Sequence, residues 1–596
     1  LREAYNSNLA KLSEFYTELG QNLALFAKVK ALAASADYAG LSAARRQIIE
    51  HQLRDFRLSG AELPDAEKTR FAEIQARLSE LSARFSQNVL DATDGFARYI
   101  DDVAELDGLP DDVLEMMRAA AEADGKPGYK LKLHFPFYFP VMQYANHRTL
   151  RESMYRDNVT RASEFGPAEL DNTLLISEIL ALRAEEASLL GFENYAQVSL
   201  APKMADSPSQ VIGFLRDMAA RAKPFAERDR AELEAFAREE LDLDELHAWD
   251  LAWASEKLRV ARYDFSEQEV KAYFSEARVL DGLFGIIGKL FGVTIEPTPA
   301  TLWHADARFW TVRRHGQPVA QFYTDLYARE GKRGGAWMAD IRARRQLADG
   351  SVQIPVALLT CNFTAPVGDK PALFTHDEVI TLFHEFGHGL HHMLTEVDEL
   401  GVSGINGVEW DAVELPSQFM ENFCWEWDVL SHMTAHVDSG EPLPHELFDK
   451  MLAAKNFQSG MMTVRQVEFG LFDMLLHAEL QAKGEFMAVL EAVRAEVAVN
   501  PTPAYNRMAH TFSHIFAGGY AAGYYSYKWA EVLSADAYAA FEETGHANPA
   551  VGEAFRREIL AVGGSRPAIE SFRAFRGRDP QIDALLRHSG LVAEQA

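Results

Sequence analysis

The sequence predicts a mainly α-helical protein that contains one small β-sheet. Apolar residues recur at helical spacing through about the first 125 residues and again from about 148 to 289, and the period shortens toward two only after Leu302. At 596 residues, the chain is long enough for several domains or one large core. Its 48% hydrophobic and 25% charged residues are ordinary globular values, so a folded chain with a sizeable interior is expected.

The charge and the cysteine content limit the partners and the compartment. Lys plus Arg total 59 against 88 for Asp plus Glu, a formal net charge of −29. Nucleic acid and anionic membranes repel such a surface, so neither is expected as a partner. The only cysteines, Cys361 and Cys424, are too few for a disulfide framework, and the longest uncharged stretch near the middle, 351–368, is too polar to span a membrane. We therefore expect a reducing compartment, the cytoplasm. We also expect the protein to be a monomer.

Residues 1–135 form the first predicted region, a bundle of long helices. Apolar positions such as Leu12 and Leu19 recur at helical spacing, and the segment 88–94 is expected to interrupt the helices. From Tyr129 to Tyr144, alternating Leu and Phe residues with two prolines predict a strand pair or extended ribbon, which marks a boundary. The chain begins without Met in what reads as a helix, so this region is expected to lack its natural beginning.

Residues 136–594 form the second predicted region. After its helical part, three segments alternate in the manner of strands: Arg308–Val312, Val319–Tyr323 and Val356–Phe363. The next segment, 377–394, predicts a helix that Thr375 caps, with two acidic residues in its first turn, where the helix dipole favours them.

That predicted helix carries the pattern H-E-x-x-H at His384, Glu385 and His388. Residues four apart on an α-helix lie about 40° apart around the axis and about 6 Å along it, so both imidazoles can reach one metal ion. Glu385 lies about 100° from His384 on the same side, where it can contact a metal-bound water without binding the metal.

The alternative interpretation is a pair of buried structural histidines. With 19 His in the chain, the five-residue pattern arises by chance in roughly one chain in twenty. Apolar residues on both sides of the motif bury the rest of the helix, however, and Gly387 and Gly389 weaken a helix unless another element approaches closely there. These features favour the metal site.

A catalytic zinc takes three protein ligands and keeps a fourth position for water. The natural third ligand is a carboxylate from the segment 411–426, which predicts a second helix. Glu414 and Glu421 are seven residues apart and share a face, so their spacing does not distinguish them.

His391 shares the face of His384 but is displaced along the axis, which favours a supporting or substrate contact. Gly404, in a glycine-rich loop, is also expected to bind substrate. The acidic candidates are Glu409, Asp411, Glu414, Glu421 and Glu426.

The segment 510–527 concentrates His, Gly and Tyr. Tyr520, Tyr524 and Tyr527 follow or flank three glycines, which suggests a mobile loop that brings phenolic donors over a site. The alternative is an aromatic strip of the core. Beside a zinc site, the donor interpretation is favoured.

Four segments of the chain resemble the thimet oligopeptidase and neurolysin family of zinc peptidases, and most closely its bacterial oligopeptidase A type. They stand in the family's order and are 322–337, 374–391, 410–422 and 518–525. The resemblance covers nearly the whole chain and implies a two-lobed, mainly α helical zincin with a small β-sheet beside the H-E-x-x-H helix and a deep substrate channel.

The resemblance also implies site roles. Glu414 falls on the family's zinc-binding glutamate, which makes His384, His388 and Glu414 the ligands of one Zn²⁺ per chain. His514, Tyr520 and Tyr527 match residues that stabilise the transition state, and Tyr524 lies in the same substrate-contacting loop.

The implied activity is zinc-dependent hydrolysis of internal bonds in short unfolded peptides, such as signal-peptide fragments. Two alternatives remain open. The family contains peptidyl-dipeptidases, which share almost every motif above. Outside enzymes, the chain is interpretable as an inactive zinc-stabilised scaffold that binds peptides, although Glu385 argues against this because a structural zinc needs no general base. In the peptidase interpretation, the strand 356–363 is expected to be an edge that pairs with the substrate backbone.

Overall fold

A computed structural model of the protein describes residues 2–264, 266–479, 485–545 and 547–592. As predicted, helices dominate the chain. The first thirteen are α1 (Arg2–Gly20), α2 (Leu23–Ala33), α3 (Ala43–Leu58), α4 (Asp65–Asp94), α5 (Asp111–Ala123), α6 (Phe135–Tyr144), α7 (Arg148–Val159), α8 (Thr173–Leu189), α9 (Tyr195–Leu200), α10 (Pro208–Glu240), α11 (Leu251–Tyr263), α12 (Glu267–Lys271) and α13 (Glu276–Phe291). The predicted helical character of 1–125 and 148–289 is thereby confirmed.

Two predictions within the first region are wrong. The segment 88–94 does not interrupt the helices, because it forms the last two turns of α4; its polar residue Asn88 is buried and its Nδ2 donates to Asn172 Oδ1 at 2.9 Å. The expected ribbon from Tyr129 to Tyr144 is a three-residue strand, β2 (Tyr129–Leu131), followed by α6. Proline is tolerated in the first helical turn, where no backbone N–H is needed, so Pro136, the second residue of α6, does not exclude the helix.

Strand β2 pairs antiparallel with β1 (Arg98–Ile100), and a two-stranded sheet joins β7 (Arg345–Gln346) to β8 (Val352–Gln353). The main sheet has five strands in the order β3-β4-β5-β9-β6. These are β3 (Val293–Pro297), β4 (Arg308–Arg314), β5 (Gln317–Tyr327), β6 (Trp337–Arg342) and β9 (Val356–Phe363). The three predicted strands are therefore confirmed as parts of β4, β5 and β9.

The expectation that β9 is an edge strand is wrong. It pairs in parallel with β5 on one side and antiparallel with β6 on the other, so its backbone groups are already engaged. Strand β6 occupies the edge instead. Its residues are half-buried or exposed throughout, and the alternation that reveals a half-buried strand is therefore absent from its sequence.

Helix α14 (His376–Met393) begins where predicted and lies beside the sheet. Thr375 accepts from the Glu378 backbone N–H, and Glu378 accepts from the Thr375 N–H, a reciprocal capping box. On the buried side of α14, Phe386 packs edge-on against Phe322 of β5 with ring centroids 5.2 Å apart. The opposite side of the helix, which carries His384 and His388, is left facing away from the sheet.

The predicted helix at 411–426 is shorter than expected. The chain turns from residue 409 to Glu414, and α15 (Leu415–Glu421) begins only there, with Pro416 in its first turn; a 3₁₀ turn (Asn422–Trp425) follows. Of the acidic candidates, Glu414 and Glu421 reach His384 of α14. The others have different partners: Glu409 accepts from the Ala568 N–H, Asp411 from the Met204 and Ala205 N–H groups, and Glu426 from the Tyr538 hydroxyl. The remaining helices are α16 (Trp427–Met433), α17 (His445–Ala454), α18 (Ser459–Ala478), α19 (Phe486–Val497), α20 (Ser513–Phe516), α21 (Ser526–Thr544), α22 (Pro549–Phe555), α23 (Ala568–Arg576) and α24 (Asp583–His588).

The described helices include none that is both long enough and apolar enough to cross a membrane. Both cysteines, Cys361 and Cys424, are buried and not joined in a disulfide. The predicted division of the chain at residues 135 and 136 stays a prediction.

Candidate metal centre

Three side chains converge between α14 and the start of α15. Glu414 Oε2 lies 3.2 Å from His384 Nε2 and 3.0 Å from His388 Nε2. The Glu414 side chain is 1% exposed, and both imidazoles are largely buried. In the described part of the chain, this cluster is the one set of His, Cys, Asp or Glu side chains close enough together to hold a metal ion.

Close packing of the two helices produces this convergence. A side chain at Gly387 would place its Cβ 2.4 Å from the Pro416 carbonyl oxygen and 2.5 Å from Ser417 Cα, so only glycine permits the approach. Gly389 faces Leu359 of β9, where an added Cβ would lie 3.1 Å from that side chain. The interpretation of both glycines as sites of close approach is confirmed.

The donor set fits zinc. Two ligands about 2.1 Å from a tetrahedral ion lie about 3.4 Å apart, close to the observed separations of 3.0 and 3.2 Å between Glu414 and the imidazoles. Two imidazole nitrogens and one carboxylate oxygen are also the ligand types of catalytic zinc sites. Burial of an ionised carboxylate between two imidazoles is otherwise costly, and a cation at this point would neutralise it.

Glu421, the alternative candidate for the third ligand, contacts the other nitrogen of the His384 imidazole. Its Oε1 lies 2.6 Å from His384 Nδ1, while Glu414 faces Nε2. A proton on Nδ1 donated to Glu421 leaves Nε2 free to bind a metal, and such outer carboxylates are a regular feature of histidine metal sites. Spacing in the sequence could not distinguish these two carboxylates. In the structure both contact His384, Glu414 at Nε2 and Glu421 at Nδ1.

Further hydrogen bonds hold the Glu414 carboxylate in place. Ser417 Oγ donates to Oε2 at 2.9 Å, and the Tyr520 hydroxyl donates to Oε1 at 2.5 Å. No motif in the sequence marks Ser417 as part of the site. Its position three residues after Glu414, at the start of a helix, was the available signal, because side chains at that spacing lie on one face.

Glu385 lies in the same buried environment as the ligand cluster, and its Oε2 makes no hydrogen bond to these ligands. Its side chain is 4% exposed, and Oε2 has no hydrogen-bond partner among the described residues. Burial raises the pKa of Glu385 above its ordinary value, although the neighbouring imidazoles His384 and His388 oppose the rise. A carboxylate with a raised pKa, and with one oxygen free of other partners among the described residues, is suited to accept and return a proton.

The tyrosine-rich segment brings its rings to the cluster. Tyr520 and Tyr527 are stacked with centroids 5.1 Å apart, and the His514 ring lies 5.9 Å from the first and 6.2 Å from the second. Burial and the Glu414 carboxylate raise the pKa of both tyrosines well above 10, so both hydroxyls keep their protons and remain donors. Burial lowers the pKa of His514, so its imidazole stays neutral near pH 7.

The three predicted substrate-binding residues lie at different places. Tyr524 packs against His514 at 5.5 Å and donates its hydroxyl to Gln466 Oε1 at 3.1 Å. His391 is only 3% exposed, and burial lowers its pKa to about 3. Gly404 has a φ of +62° and packs against His392, where a Cβ would lie 2.8 Å from Nδ1. The structure thus brings Tyr524 to the donor group, and contact of these three residues with substrate stays a prediction.

Comparison with known proteins agrees with this geometry. Residues 141–591 match the model of peptidase family M3, and residues 1–68 match the N-terminal domain of neurolysin and thimet oligopeptidase. Oligopeptidase A of Salmonella typhimurium is 52% identical over 597 residues, which cover 99% of this chain and 88% of that protein. Dipeptidyl carboxypeptidase of the same organism is 34% identical over 601 residues, which cover 99% of this chain and 87% of the relative.

A solved structure supports the fold alone. PZ peptidase A with an inhibitor superposes with a TM-score of 0.61 at 14% identity, covering 99% of this chain and 86% of the other. The described chain, mainly helical with small sheets, therefore shares its overall fold with a solved peptidase structure.

Fold and site together define a metallopeptidase of the H-E-x-x-H class. The chain belongs to peptidase family M3. Its predicted activity as an oligopeptidase of this family is confirmed by the full-length similarity to oligopeptidase A, which is much greater than the similarity to dipeptidyl carboxypeptidase.

Proposed function

We propose that the protein uses one zinc ion to hydrolyse internal bonds of short, unfolded peptides, including signal-peptide fragments and other proteolysis products, in the cytoplasm. The observation that carries the proposal is the convergence of the ligand cluster His384, His388 and Glu414 with an unpartnered buried Glu385 and with tyrosine donors. The two unpaired, buried cysteines are consistent with a reducing compartment. A monomeric state stays a prediction.

In this proposal, His384 Nε2, His388 Nε2 and Glu414 Oε2 would hold the zinc ion. The chemistry that zinc supplies there is polarisation of the scissile carbonyl and a lowered pKa of water. Glu385 accepts the proton of the attacking water on its carboxylate and then passes it to the leaving amine. The buried surroundings of Glu385 exclude bulk water, so the proton is retained for the amine.

The tyrosines and His514 act as donors to the carbonyl oxygen as negative charge develops on it. Neutral hydroxyl donors in a site of low dielectric stabilise such charge more than they would in water. The Tyr520 hydroxyl is already committed to Glu414 in this state, at 2.5 Å. The Tyr527 hydroxyl has no hydrogen bond to that carboxylate and has the Tyr520 hydroxyl as its neighbour, so we assign to Tyr527 the main donor role.

Tyr527→Phe is therefore expected to lower kcat by about 10²- to 10³-fold and to change KM by much less, because an oxyanion donor contributes mainly in the transition state. The ring and its stacking on Tyr520 are retained. Steady-state kinetics on a quenched fluorescent peptide measure the two constants. A change confined to KM would make Tyr527 a substrate-positioning residue.

Tyr520→Phe is expected to lower kcat as well. It also removes the hydroxyl that donates to the Glu414 carboxylate, so an added effect on that carboxylate is expected.

Internal cleavage is tested with one peptide of about ten residues, made with a free and with an amidated C-terminus. An endopeptidase is expected to cut both forms at the same internal bond at similar rates, with mass spectrometry locating the cut. A peptidyl-dipeptidase would release the C-terminal dipeptide and would lose most activity on the amide. Binding of either form without cleavage, in a zinc-loaded sample, would instead support the scaffold interpretation.

A further inference from the structure

The loop between α20 and α21, residues 517–525, carries Tyr520 and Tyr524 and leads to Tyr527. Its second half is held by one buried carboxylate. Asp473, on α18, is 0% exposed; its Oδ1 accepts from the Ala522 N–H at 2.8 Å, and its Oδ2 accepts from the N–H groups of Gly523 and Tyr524 at 2.8 and 2.9 Å. Three successive backbone donors thus point at a single side chain.

The backbone of this segment adopts a conformation that needs such support. Ala522 has a φ of +46°, in the left-handed region that is unfavourable for residues with a Cβ. A left-handed residue turns successive N–H groups toward one concave side, which forms a natural receptor for an anion. The Asp473 carboxylate occupies that receptor, so the strained turn and the buried charge stabilise each other.

A relay extends from Asp473 to the other side of the loop. The Arg183 Nη1 group donates to His477 Nε2 at 2.9 Å, and because arginine only donates, the His477 proton resides on Nδ1. Nδ1 then donates to the Asp473 backbone oxygen at 2.8 Å and lies 3.1 Å from Oδ1. The Nη2 group of Arg183 donates to the carbonyl of Ile515 at 2.9 Å, the residue next to His514.

The same hydrogen-bond network therefore holds the backbone on both sides of the donor residues His514, Tyr520 and Tyr527. Through Arg183 it holds the backbone beside His514, and through Asp473 it holds the backbone that carries Tyr524 and leads to Tyr527. Two independent contacts reinforce the second side: Ser199 Oγ donates to the Ala521 carbonyl at 2.7 Å, and Gln418 Nε2 donates to the Tyr527 carbonyl at 2.9 Å. The loop that its glycines suggested to be mobile is tethered from Ala521 onward.

We propose that Asp473, supported by His477 and Arg183, is a positioning residue that preorganises the tyrosine and histidine donors of this peptidase. No hydrogen bond or ion pair joins these three side chains to the cluster of His384, His388 and Glu414 in the described part of the chain, so they act through the loop. The inference rests on the donor role proposed above for Tyr527.

Asp473→Asn is the direct test. The amide has nearly the same shape but offers one oxygen and no charge to three N–H groups, so kcat is expected to fall about 10- to 100-fold, with KM changing less than about threefold and zinc content unchanged. Asp536→Asn is the matched control. Asp536 is equally buried and accepts from the Gln581 backbone N–H at 2.8 Å, but it pairs with Arg578 near the C-terminus. The Asp536→Asn substitution is expected to lower the unfolding temperature without lowering kcat.

A double-mutant cycle distinguishes positioning from general damage. In a Tyr527→Phe background, Asp473→Asn is expected to cost much less than in the wild-type chain, because the donor on which it acts is already gone. Full additivity of the two effects would overturn the proposal, as would an unchanged kcat in Asp473→Asn alone. If Tyr527→Phe itself leaves kcat unchanged, the donor role fails, and that result is separable from a failure of Asp473.

A second pair of variants covers the case in which Asp473→Asn does not fold. The Asn side-chain amide can replace the donor at Nδ1 of histidine, so His477→Asn is expected to keep the bond to Asp473 and most of kcat. His477→Ala is expected to lower kcat by at least about fivefold more than His477→Asn, with zinc content equal in both. Equal kcat values for the two variants would contradict the relay.

Discussion

Replacement of Glu385 by Gln is expected to leave zinc bound while lowering kcat by about 10²- to 10⁴-fold, the range of general acid–base groups. Glutamine has almost the same shape, so the packing of α14 is preserved, but its amide cannot take a proton from water. Glu385 makes no hydrogen bond through Oε2 to any described residue, so the substitution breaks no structural contact at that atom.

The measurement combines peptide turnover, zinc content by elemental analysis and the thermal unfolding midpoint. Glu378→Gln is the matched control, since Glu378 lies on the same helix and closes its capping box instead of facing the ligands. The control is expected to lower the unfolding midpoint slightly and to keep kcat. Substantial activity in Glu385→Gln would disprove the role of Glu385, and loss of zinc from it would show that this carboxylate supports metal binding.

The second large effect is expected at Glu414. Glu414→Ala removes the one carboxylate that faces Nε2 of both histidines, so zinc is expected to be lost, or bound far more weakly, together with activity. Glu421→Ala removes only the partner of His384 Nδ1. Losses of about 10- to 100-fold in metal affinity are typical for such outer carboxylates, so this variant is expected to fill with zinc when the metal is in excess.

Zinc titrations followed by elemental analysis compare the two variants directly, and circular dichroism checks that the helical content is retained. The reverse order, with Glu421→Ala losing zinc and Glu414→Ala keeping it, would mean that the third ligand is misassigned. Equal weakening of both would indicate that the two carboxylates share the ion.

Local patterns in the sequence predicted the elements that depend on short-range rules. The apolar period identified most helices, Thr375 identified the start of α14, and alternation identified β4, β5 and β9. The same rules failed where tertiary contacts decide. The apolar run at 135–144 alternates like a strand, yet it forms the partly buried helix α6, because a segment that is apolar on all sides fits either element and its neighbours select one.

The sequence patterns missed the edge strand β6 and the interior position of β9 for the same reason. Which strands become neighbours is set by long-range pairing, and nothing in the residues of β9 alone reports that β6 covers it. The network around Asp473 was also invisible, because a single aspartate in an apolar helix gives no sign of the backbone donors that will meet it.

The H-E-x-x-H pattern alone predicts the part of the site that a single helix carries. His384, Glu385 and His388 share a face because helical geometry alone relates residues one and four apart. Only the tertiary structure decided how Glu414 and Glu421 divide the two nitrogens of His384, and only it brought Tyr520 and Tyr527 to the Glu414 carboxylate. The physical reason is that side chains distant in the chain meet through packing, here the glycine-dependent contact of α14 with α15 and the buried tether of the tyrosine loop, and local periodicity carries no information about either.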